Sequence, residues 1–173
     1  MGYLKHKGKK YTSVVLKISK NTDFSRILDE LHQIFLAGIN EKKIENIRYS
    51  LLELVNNSIR AHKEQKENRD ILLRFKLAGQ ELIITLRDWG GGFDKSRLPY
   101  DLDQDVQKID INDQNFLEYR EVHGYQRFGM GLLITKKTFD RFKLSFTDHQ
   151  GNIRDNYEEG QTAGTVIELR STL

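Results

Sequence analysis

The sequence predicts an α+β protein in which helices cover one face of a single mixed, mainly antiparallel sheet. Three observations lead to this prediction. Two amphipathic helical segments come early in the chain, a hairpin of two alternating strands follows them, and two further strand segments close the chain. There is no βαβ unit with a GxGxxG turn and no GxxxxGK[ST] sequence, which argues against a Rossmann site and a P-loop.

The first elements are a strand and a helix. Residues 14–18 are β-branched or apolar at alternate positions, as is typical of a strand. Thr22 or Asp23 can cap the helix that follows, and Gly38 is expected to end it. Its apolar residues recur at helical spacing and are Phe24, Ile27, Leu28, Leu31, Ile34 and Phe35.

A longer helix is predicted from Glu41 to about Glu64, and it has two unlike faces. At about 100° per residue, Glu53, Asn57 and Arg60 lie within roughly 60° of one another. The opposite side is an apolar stripe of Ile44, Ile47, Leu51 and Val55. The helix therefore buries one face and presents a carboxylate, an amide and a guanidinium on the other.

The second half of the chain is predicted to form the rest of the sheet. A hairpin is expected over residues 71–77 and 82–87, joined at Gly79. A long stretch with weak periodicity, residues 94–128, then reads as a lid or an irregular segment. The remaining predictions are a helix over residues 129–142 and closing strands over residues 143–147 and 165–170.

Composition limits the function classes. The 173 residues suffice for one domain, and a net charge of +3 is too mild to indicate nucleic acid. Four of the lysines lie within the first ten residues, so residues 1–12 are expected to be a flexible basic tail and residues 13–173 a single domain. The absence of cysteine excludes thiol chemistry. No membrane-spanning run or signal-peptide pattern is found, and a cytoplasmic location is expected.

Three polar motifs occur in a defined order: ELVNNSIRAH (Glu53 to His62), DWGGG (Asp88 to Gly92) and GMGL (Gly129 to Leu132). Each alone has an ordinary explanation, as a solvated helix face, an Asp-Gly turn or a glycine helix start. In the first motif, the Asn57 amide oxygen suits Mg²⁺, which prefers oxygen ligands. Glu53 could orient a nucleophile, and Arg60 could contact phosphate.

The other motifs suit the two ends of a nucleotide. Asp88 ends an apolar strand, where its carboxylate can accept a hydrogen bond from an adenine amine, and Gly90 and Gly92 let backbone approach a flat ring. Gly129 and Gly131 lead into a helix whose N-terminal N–H groups can face phosphate. Thr165 could donate its hydroxyl towards the base, or it could be an ordinary strand residue.

Together these motifs resemble those of the GHKL superfamily, which includes type II topoisomerases, heat-shock chaperones, mismatch-repair ATPases, sensor histidine kinases and anti-sigma-factor serine kinases. ELVNN resembles the N box of that superfamily, DWGGG its DxGxG box, GMGL its GxGL box and Gly164-Thr165 its closing GT. The resemblance covers nearly the whole chain from Val14 onward and implies the Bergerat fold, with ATP and Mg²⁺ as cofactors.

The resemblance also implies roles for individual residues. Asn57 would hold Mg²⁺ and Glu53 would be the catalytic or water-positioning carboxylate. The remaining nucleotide-binding positions would be Arg60, Asp88, Gly90, Gly92, Gly129, Gly131, Leu132 and Thr165, with residues 94–128 as the ATP lid.

The chain departs from the family pattern at three places. Ser58 stands where alanine is more usual, and Trp89 occupies a place often held by a small polar residue. Ala61 replaces a histidine often found four residues after the metal-binding asparagine, with His62 one position later. We expect His62 to be a cation at the helix end rather than a site residue.

The layout favours one subfamily. His6 and His32, the histidines upstream of the N box, lack the sequence setting of a sensor-kinase phosphoacceptor. Because the motifs occupy nearly the whole sequence, a transducer domain is not expected. The layout resembles stand-alone anti-sigma-factor serine kinases, so phosphoryl transfer to Ser or Thr of a regulatory partner is expected. The partner would be a sigma factor, an antagonist or another phosphoacceptor protein. Two alternatives stay open: transfer to a His on a separate chain, and a non-catalytic ATP-binding switch. The oligomeric state, including a homodimer, also stays open.

Overall fold

The computed structural model describes residues 2–105 and 130–173 and, between these ranges, Ile109, Gln114, Leu117, Glu118 and Glu121. The helices in the two long ranges are α1 (Phe24–His32), α2 (Glu41–Glu64) and α3 (Met130–Thr138). The strands are β1 (Tyr3–His6), β2 (Lys9–Tyr11), β3 (Ser13–Ile18), β4 (Ile34–Ala37), β5 (Ile71–Ala78), β6 (Glu81–Arg87), β7 (Arg141–Asp148), β8 (Ile153–Arg154) and β9 (Thr162–Thr172). The predicted α+β layout is confirmed.

The strands form two antiparallel sheets. The larger has the order β3-β5-β6-β9-β7-β8, and the smaller has the order β2-β1-β4. The last strand of the chain, β9, lies between β6 and β7 and pairs with both. This insertion brings the start of β9 beside the end of β6, so that Val166 is in register with Arg87.

One face of the larger sheet packs against the helices. Strands β5 and β6 bury every second side chain, as a strand with one covered face should. The predicted apolar stripe of α2 is confirmed at Ile47, Leu51 and Val55, which are buried, whereas Ile44 is only half-buried. The core thus joins α2 to the sheet and leaves the polar face of this helix available. None of the described helices has the length and apolar character required to cross a membrane.

Both early helices begin at side-chain caps. The Asp23 carboxylate accepts a hydrogen bond from the Arg26 backbone N–H at 2.9 Å, so Asp23 rather than Thr22 caps α1. The Asn40 side chain accepts from the Lys43 backbone N–H at 2.8 Å at the start of α2. The bounds of α2 match the prediction.

Two predicted helix ends are wrong. Ile34 and Phe35 were expected in the first helix, but they form β4 because alternate residues from Ile34 onward are buried against the core. Phe142 was expected in the helix that follows the GMGL motif, but α3 ends at Thr138 and Phe142 lies in β7. In both cases a strand pairing over a long sequence distance overrides the local helical spacing.

The expectation of a flexible tail is also wrong for residues 3–11. These residues form the hairpin of β1 and β2, whose turn has positive φ angles at Lys7 and Gly8. Strand β1 pairs with β4 so that Leu4 is opposite Leu36, and Leu4 is fully buried. The lysines are compatible with this packing because Lys7, Lys9 and Lys10 are exposed and Lys5 is only half-buried, while Leu4 fixes the inner face of the hairpin to the core.

We predict that Leu4→Ala lowers the free energy of unfolding by about 2–5 kcal/mol, because it leaves a cavity at a fully buried position. Urea unfolding followed by circular dichroism measures the change. Lys9→Ala, on the exposed strand β2, is the control and should change stability little. Equal stability of Leu4→Ala and the wild-type protein would contradict the packing of the hairpin.

Candidate nucleotide-binding site

A cavity of about 440 Å³ lies between α2, the end of β6 and the start of β9, a volume typical of small-molecule sites. The structure brings many of the predicted site residues together in its wall: Asn57, Arg60, Asp88, Gly90, Gly92, Leu132 and Thr165. Glu53 and Gly131 do not line the cavity but adjoin it beside Asn57. Gly129 falls outside the described residues.

A second row of residues, on α2 and at Gln65 directly after it, faces the cavity beside Asn57 and Arg60. This row consists of Leu54, Ser58, Ala61 and Gln65, spaced four, three and four residues apart. Such spacing places side chains on one face of a helix, so the sequence held a signal for this row. Ser58, which the sequence marks only as a departure from the family pattern, is thus part of the cavity wall.

The carboxylate of Asp88 is the best-connected polar group in the site. One oxygen, Oδ2, accepts hydrogen bonds from the Ser58 hydroxyl at 2.6 Å and the Thr165 hydroxyl at 2.8 Å. The other oxygen, Oδ1, accepts hydrogen bonds from the Gly90 backbone N–H at 3.0 Å and the Thr165 backbone N–H at 3.4 Å. Asp88 is 6% exposed, and these donors make burial of its charge tolerable.

The two oxygens of this carboxylate differ in their spare capacity. A carboxylate oxygen has two lone-pair sites. Both sites of Oδ2 are used by short bonds from hydroxyl groups, whereas Oδ1 has one good donor and one long contact of 3.4 Å. Oδ1 is therefore the oxygen with room for a donor from a ligand in the cavity.

Glycine is required at two positions around Asp88 because the chain segments approach so closely. A Cβ atom built on Gly164 would lie 1.9 Å from the Asp88 carbonyl oxygen, and one on Gly90 would lie 2.5 Å from the Ala61 Cβ. Contacts this short cannot be accommodated without moving backbone. The DWGGG loop is thus clamped between β9 and α2.

The start of α3 packs against the polar face of α2. A Cβ atom on Gly131 would lie 3.3 Å from the Glu53 Cβ and 3.5 Å from the Asn57 Nδ2. The predicted carboxylate, amide and glycine motif therefore meet at one place. Because the first turn of a helix presents backbone N–H groups and a positive dipole end, this place is suited to an anion.

His62 differs from its predicted role. It is fully buried, and its Nε2 accepts a hydrogen bond from the Trp89 backbone N–H at 2.9 Å. Burial lowers the pKa of His62, although the nearby Asp88 carboxylate opposes this effect. The expectation of a helix-end cation is therefore wrong: His62 is a neutral acceptor that ties the DWGGG loop to α2.

The Trp89 side chain lies outside the cavity wall. The guanidinium groups of Arg69 and Arg87 are each 5.1 Å from the centre of its ring, within the range of cation–π contacts. Glu67 holds Arg69 there by hydrogen bonds of 2.8 and 3.0 Å, which lower the pKa of Glu67 to about 2. Trp89 thus packs against arginines on the outer side of the loop.

Part of the cavity wall is formed by residues that no pattern in the sequence predicts. Tyr157 and Glu159 reach the cavity from the connection between β8 and β9, a stretch without periodicity. Phe146 lies between the Tyr157 and Phe93 rings, with centroid distances of 5.9 and 6.0 Å and edge-to-face geometry. This aromatic row braces the side of the cavity opposite α2.

The described part of the predicted lid is anchored at both of its ends. Asp94, Arg97 and Leu98 line the cavity. Farther along, Leu102 is buried, and the Lys136 ammonium of α3 donates to the backbone carbonyl of Leu102 and, at 2.7 Å, to that of Gln104. The rest of the predicted lid lies outside the described residues, apart from the single residues named above.

A family model matches the chain from α1 to β8, which includes α2 and the DWGGG loop of the cavity but not Tyr157 or Thr165. The model of the histidine kinase-like ATPase domain matches residues 19–154, which is more than half of the chain. The chain belongs to the histidine kinase-like ATPase family. The curated proteins include no match to it. This histidine kinase-like ATPase domain is accordingly an ATP-binding domain, and the predicted adenine nucleotide ligand is supported.

We predict that acidification destabilises this domain partly through His62. Because the folded protein has a lowered pKa at His62, the unfolded state binds a proton there more readily as the pH falls below the ordinary value of 6.5. Stability is therefore present above that pH and is lost as pH falls towards the lowered pKa. His62→Gln keeps an acceptor for the Trp89 N–H but cannot be protonated.

Thermal unfolding midpoints at pH 8 and pH 5.5 test this prediction. The wild-type midpoint should fall more than that of His62→Gln, since other titrating groups are common to both proteins. An equal fall in the two proteins would show that His62 does not carry this pH dependence.

Proposed function

We propose that this domain is a Mg²⁺-ATP-dependent regulatory protein kinase that transfers the γ-phosphoryl group to a Ser or Thr of a partner protein. The observation that carries the proposal is the placement of Glu53 beside Asn57 and the start of α3. A carboxylate next to a candidate phosphate site can orient a hydroxyl for attack, whereas simple nucleotide binding has no need of it.

The base would bind at the Asp88 end of the cavity. The exocyclic amine of adenine would donate to Asp88 Oδ1, the oxygen with spare capacity. Gly90 and Gly92 would border the ring, and Tyr157 would cover it from the opposite wall. Thr165 would act mainly by holding the carboxylate, since its hydroxyl already donates to Asp88.

The phosphates would extend towards Arg60, Asn57 and the first turn of α3. Arg60 lines the cavity on the same face of α2 as Asn57. Leu132 closes the inner wall there, and Gly129 and Gly131 would supply backbone N–H groups. The lid residues Asp94 and Arg97 also line the cavity.

The residues at this end fit Mg²⁺. Among the described residues, no three His, Cys, Asp or Glu side chains form a group that could hold a metal by themselves. Mg²⁺ commonly takes one or two protein oxygens and completes its coordination shell with phosphate and water. Asn57 and the nearby Glu53 can supply the protein oxygens of such a shell. Asn57 would hold the ion, which would neutralise charge on the phosphates.

Glu53 would orient the acceptor hydroxyl in line with the γ-phosphate. In such a transfer the bond between the γ-phosphorus and the bridging oxygen would break, a bond from the hydroxyl oxygen would form, and the hydroxyl proton would pass to Glu53. The DWGGG loop, with Asp88 and Gly90 buried, would limit access of water to the base, while Arg60 and the α3 N-terminus would stabilise negative charge. Positioning of this kind can supply most of the rate enhancement in phosphoryl transfer.

We predict that Asp88→Asn weakens ATP binding about 10-fold to 100-fold, because a hydrogen bond to a charged group contributes about 1.5–3 kcal/mol. Isothermal titration calorimetry measures the affinity, and the unfolding midpoint checks the fold. Asp29→Asn, an exposed change of the same chemistry on α1, is the matched control. Unchanged ATP affinity in a folded Asp88→Asn protein would remove Asp88 from the base site.

We predict that Glu53→Gln keeps ATP affinity within about threefold but lowers phosphoryl transfer at least about 100-fold, the usual scale for loss of a general base. Glu41→Gln, at the exposed start of α2, is the control. Equal transfer rates in the wild-type and Glu53→Gln proteins would exclude Glu53 from catalysis.

The assay that tests the function itself uses γ-labelled ATP with Mg²⁺ and lysate of the source cell. Acid-stable label on a protein, absent with Glu53→Gln, is the expected result. Acid-labile label would point to a histidine acceptor. Nucleotide binding without any transfer would favour the switch.

A further inference from the structure

The face of the larger sheet that points away from the helices carries an unusual arrangement of charge. We name it the outer face and define it by three rows of side chains that the strand register aligns. One row runs Lys76, Ile83, Arg170 and Arg141 across β5, β6, β9 and β7. The next runs Val15, Arg74, Thr85, Glu168 and Lys143, and the third runs Lys17, Leu72, Arg87 and Val166.

Positive charge on the outer face is largely uncompensated. Lys17, Arg74, Lys76, Arg141 and Lys143 are exposed, and within the described part of the chain none of them forms an ion pair. The carboxylates on this side of the sheet, Glu81 and Glu168, are both occupied by Arg170, at 3.0 and 2.8 Å. The five uncompensated cations exceed the net charge of +3 of the whole chain.

The two strands between these cations, β6 and β9, carry both apolar and polar side chains on the outer face. Ile83 on β6 and Val166 on β9 are half-buried. Around them lie Thr85, Arg87 and the Glu168–Arg170 ion pair, whose charges offset each other. The cations stand on the two sides of this area, on β3 and β5 at one side and on β7 at the other. Apolar side chains within a polar rim are common in docking surfaces.

The distance between the two cationic sides of the outer face is suited to an α-helix of a partner. Strands β5 and β7 are three strand spacings apart in the sheet order, or about 14 Å at ~4.8 Å for each spacing. An α-helix with its side chains is about 10–12 Å wide. A helix lying along β6 and β9 would therefore contact Ile83 and Val166 and place its flanks near Arg74 and Lys143.

We propose that the outer face docks an acidic amphipathic helix of a partner protein. Its apolar stripe would cover Ile83 and Val166, and its carboxylates would pair with the cations of β5 and β7. The docking surface lies on the opposite side of the sheet from the cavity, so the proposal does not depend on the kinase assignment. A second copy of the chain is a poor occupant, because two outer faces would repel each other.

A nucleic acid fits the outer face less well than an acidic protein. Sheets that bind single strands usually stack the bases on exposed aromatic side chains. The outward positions of these rows hold no Phe, Tyr or Trp.

The test uses a synthetic amphipathic helix made of Glu, Leu and Ala, labelled for fluorescence anisotropy, and a labelled single-stranded DNA of mixed sequence. The test variant is R74E/K143E, on the two sides of the outer face. The matched control is K42E/K63E, which makes the same charge change at exposed positions on α2. ATP affinity and the unfolding midpoint are measured for every protein, and R74Q/K143Q replaces the test variant if charge reversal prevents folding.

The expected result is that the wild-type protein and K42E/K63E bind the acidic helix alike, whereas R74E/K143E binds it about tenfold or more weakly, with ATP affinity unchanged. Three results would overturn the proposal. These are no binding of the acidic helix by the wild-type protein, equal losses in the two double variants, or tighter binding of the DNA that is lost in R74E/K143E alone. None of these readouts requires phosphoryl transfer. A negative kinase assay would therefore not change the interpretation of the binding experiment.

Discussion

The buried carboxylate of Asp88 is the interaction on which the rest of the site depends. A charge that is 6% exposed must be matched by donors, and these come from three separate parts of the chain. Ser58 belongs to α2, Gly90 to the loop after β6, and Thr165 to β9. Satisfying this one group therefore fixes the relative positions of a helix, a loop and two strands.

The sheet order makes that convergence possible. Strand β9 is the last in the chain but pairs with β6, which puts Thr165 beside the end of that strand. The two segments pack so closely that Gly164 leaves no room for a side chain against the Asp88 backbone. His62 adds a second tie between α2 and the loop through the Trp89 N–H. The cavity is a consequence of these ties, and its base end is accordingly built from rigid elements.

The sequence predicted the local features well and the non-local ones poorly. The bounds of α2 and the hairpin of β5 and β6 follow from periodicity and turn residues, which act over short distances. The smaller sheet could not be predicted because it depends on Leu4 meeting Leu36 across more than thirty residues. The charge state of His62 likewise depends on burial that only the folded chain produces.

The site shows the same division. Motif residues such as Asn57 and Asp88 could be recognised from the family resemblance. Ser58 could have been found from helical spacing, because it lies on the side of α2 that faces the cavity. Tyr157 had no such signal, because it enters the cavity from an irregular connection. Side chains contributed by loops are placed by tertiary packing rather than by local spacing.

We propose that Asp88 anchors an adenine base while Asn57 and the start of α3 hold its phosphates. A crystal structure with Mg²⁺ and a non-hydrolysable ATP analogue is the decisive measurement. We expect the exocyclic amine within hydrogen-bond distance of Asp88 Oδ1 and the triphosphate beside Asn57 and Gly131. A base bound away from Asp88, or a triphosphate directed away from α3, would contradict it.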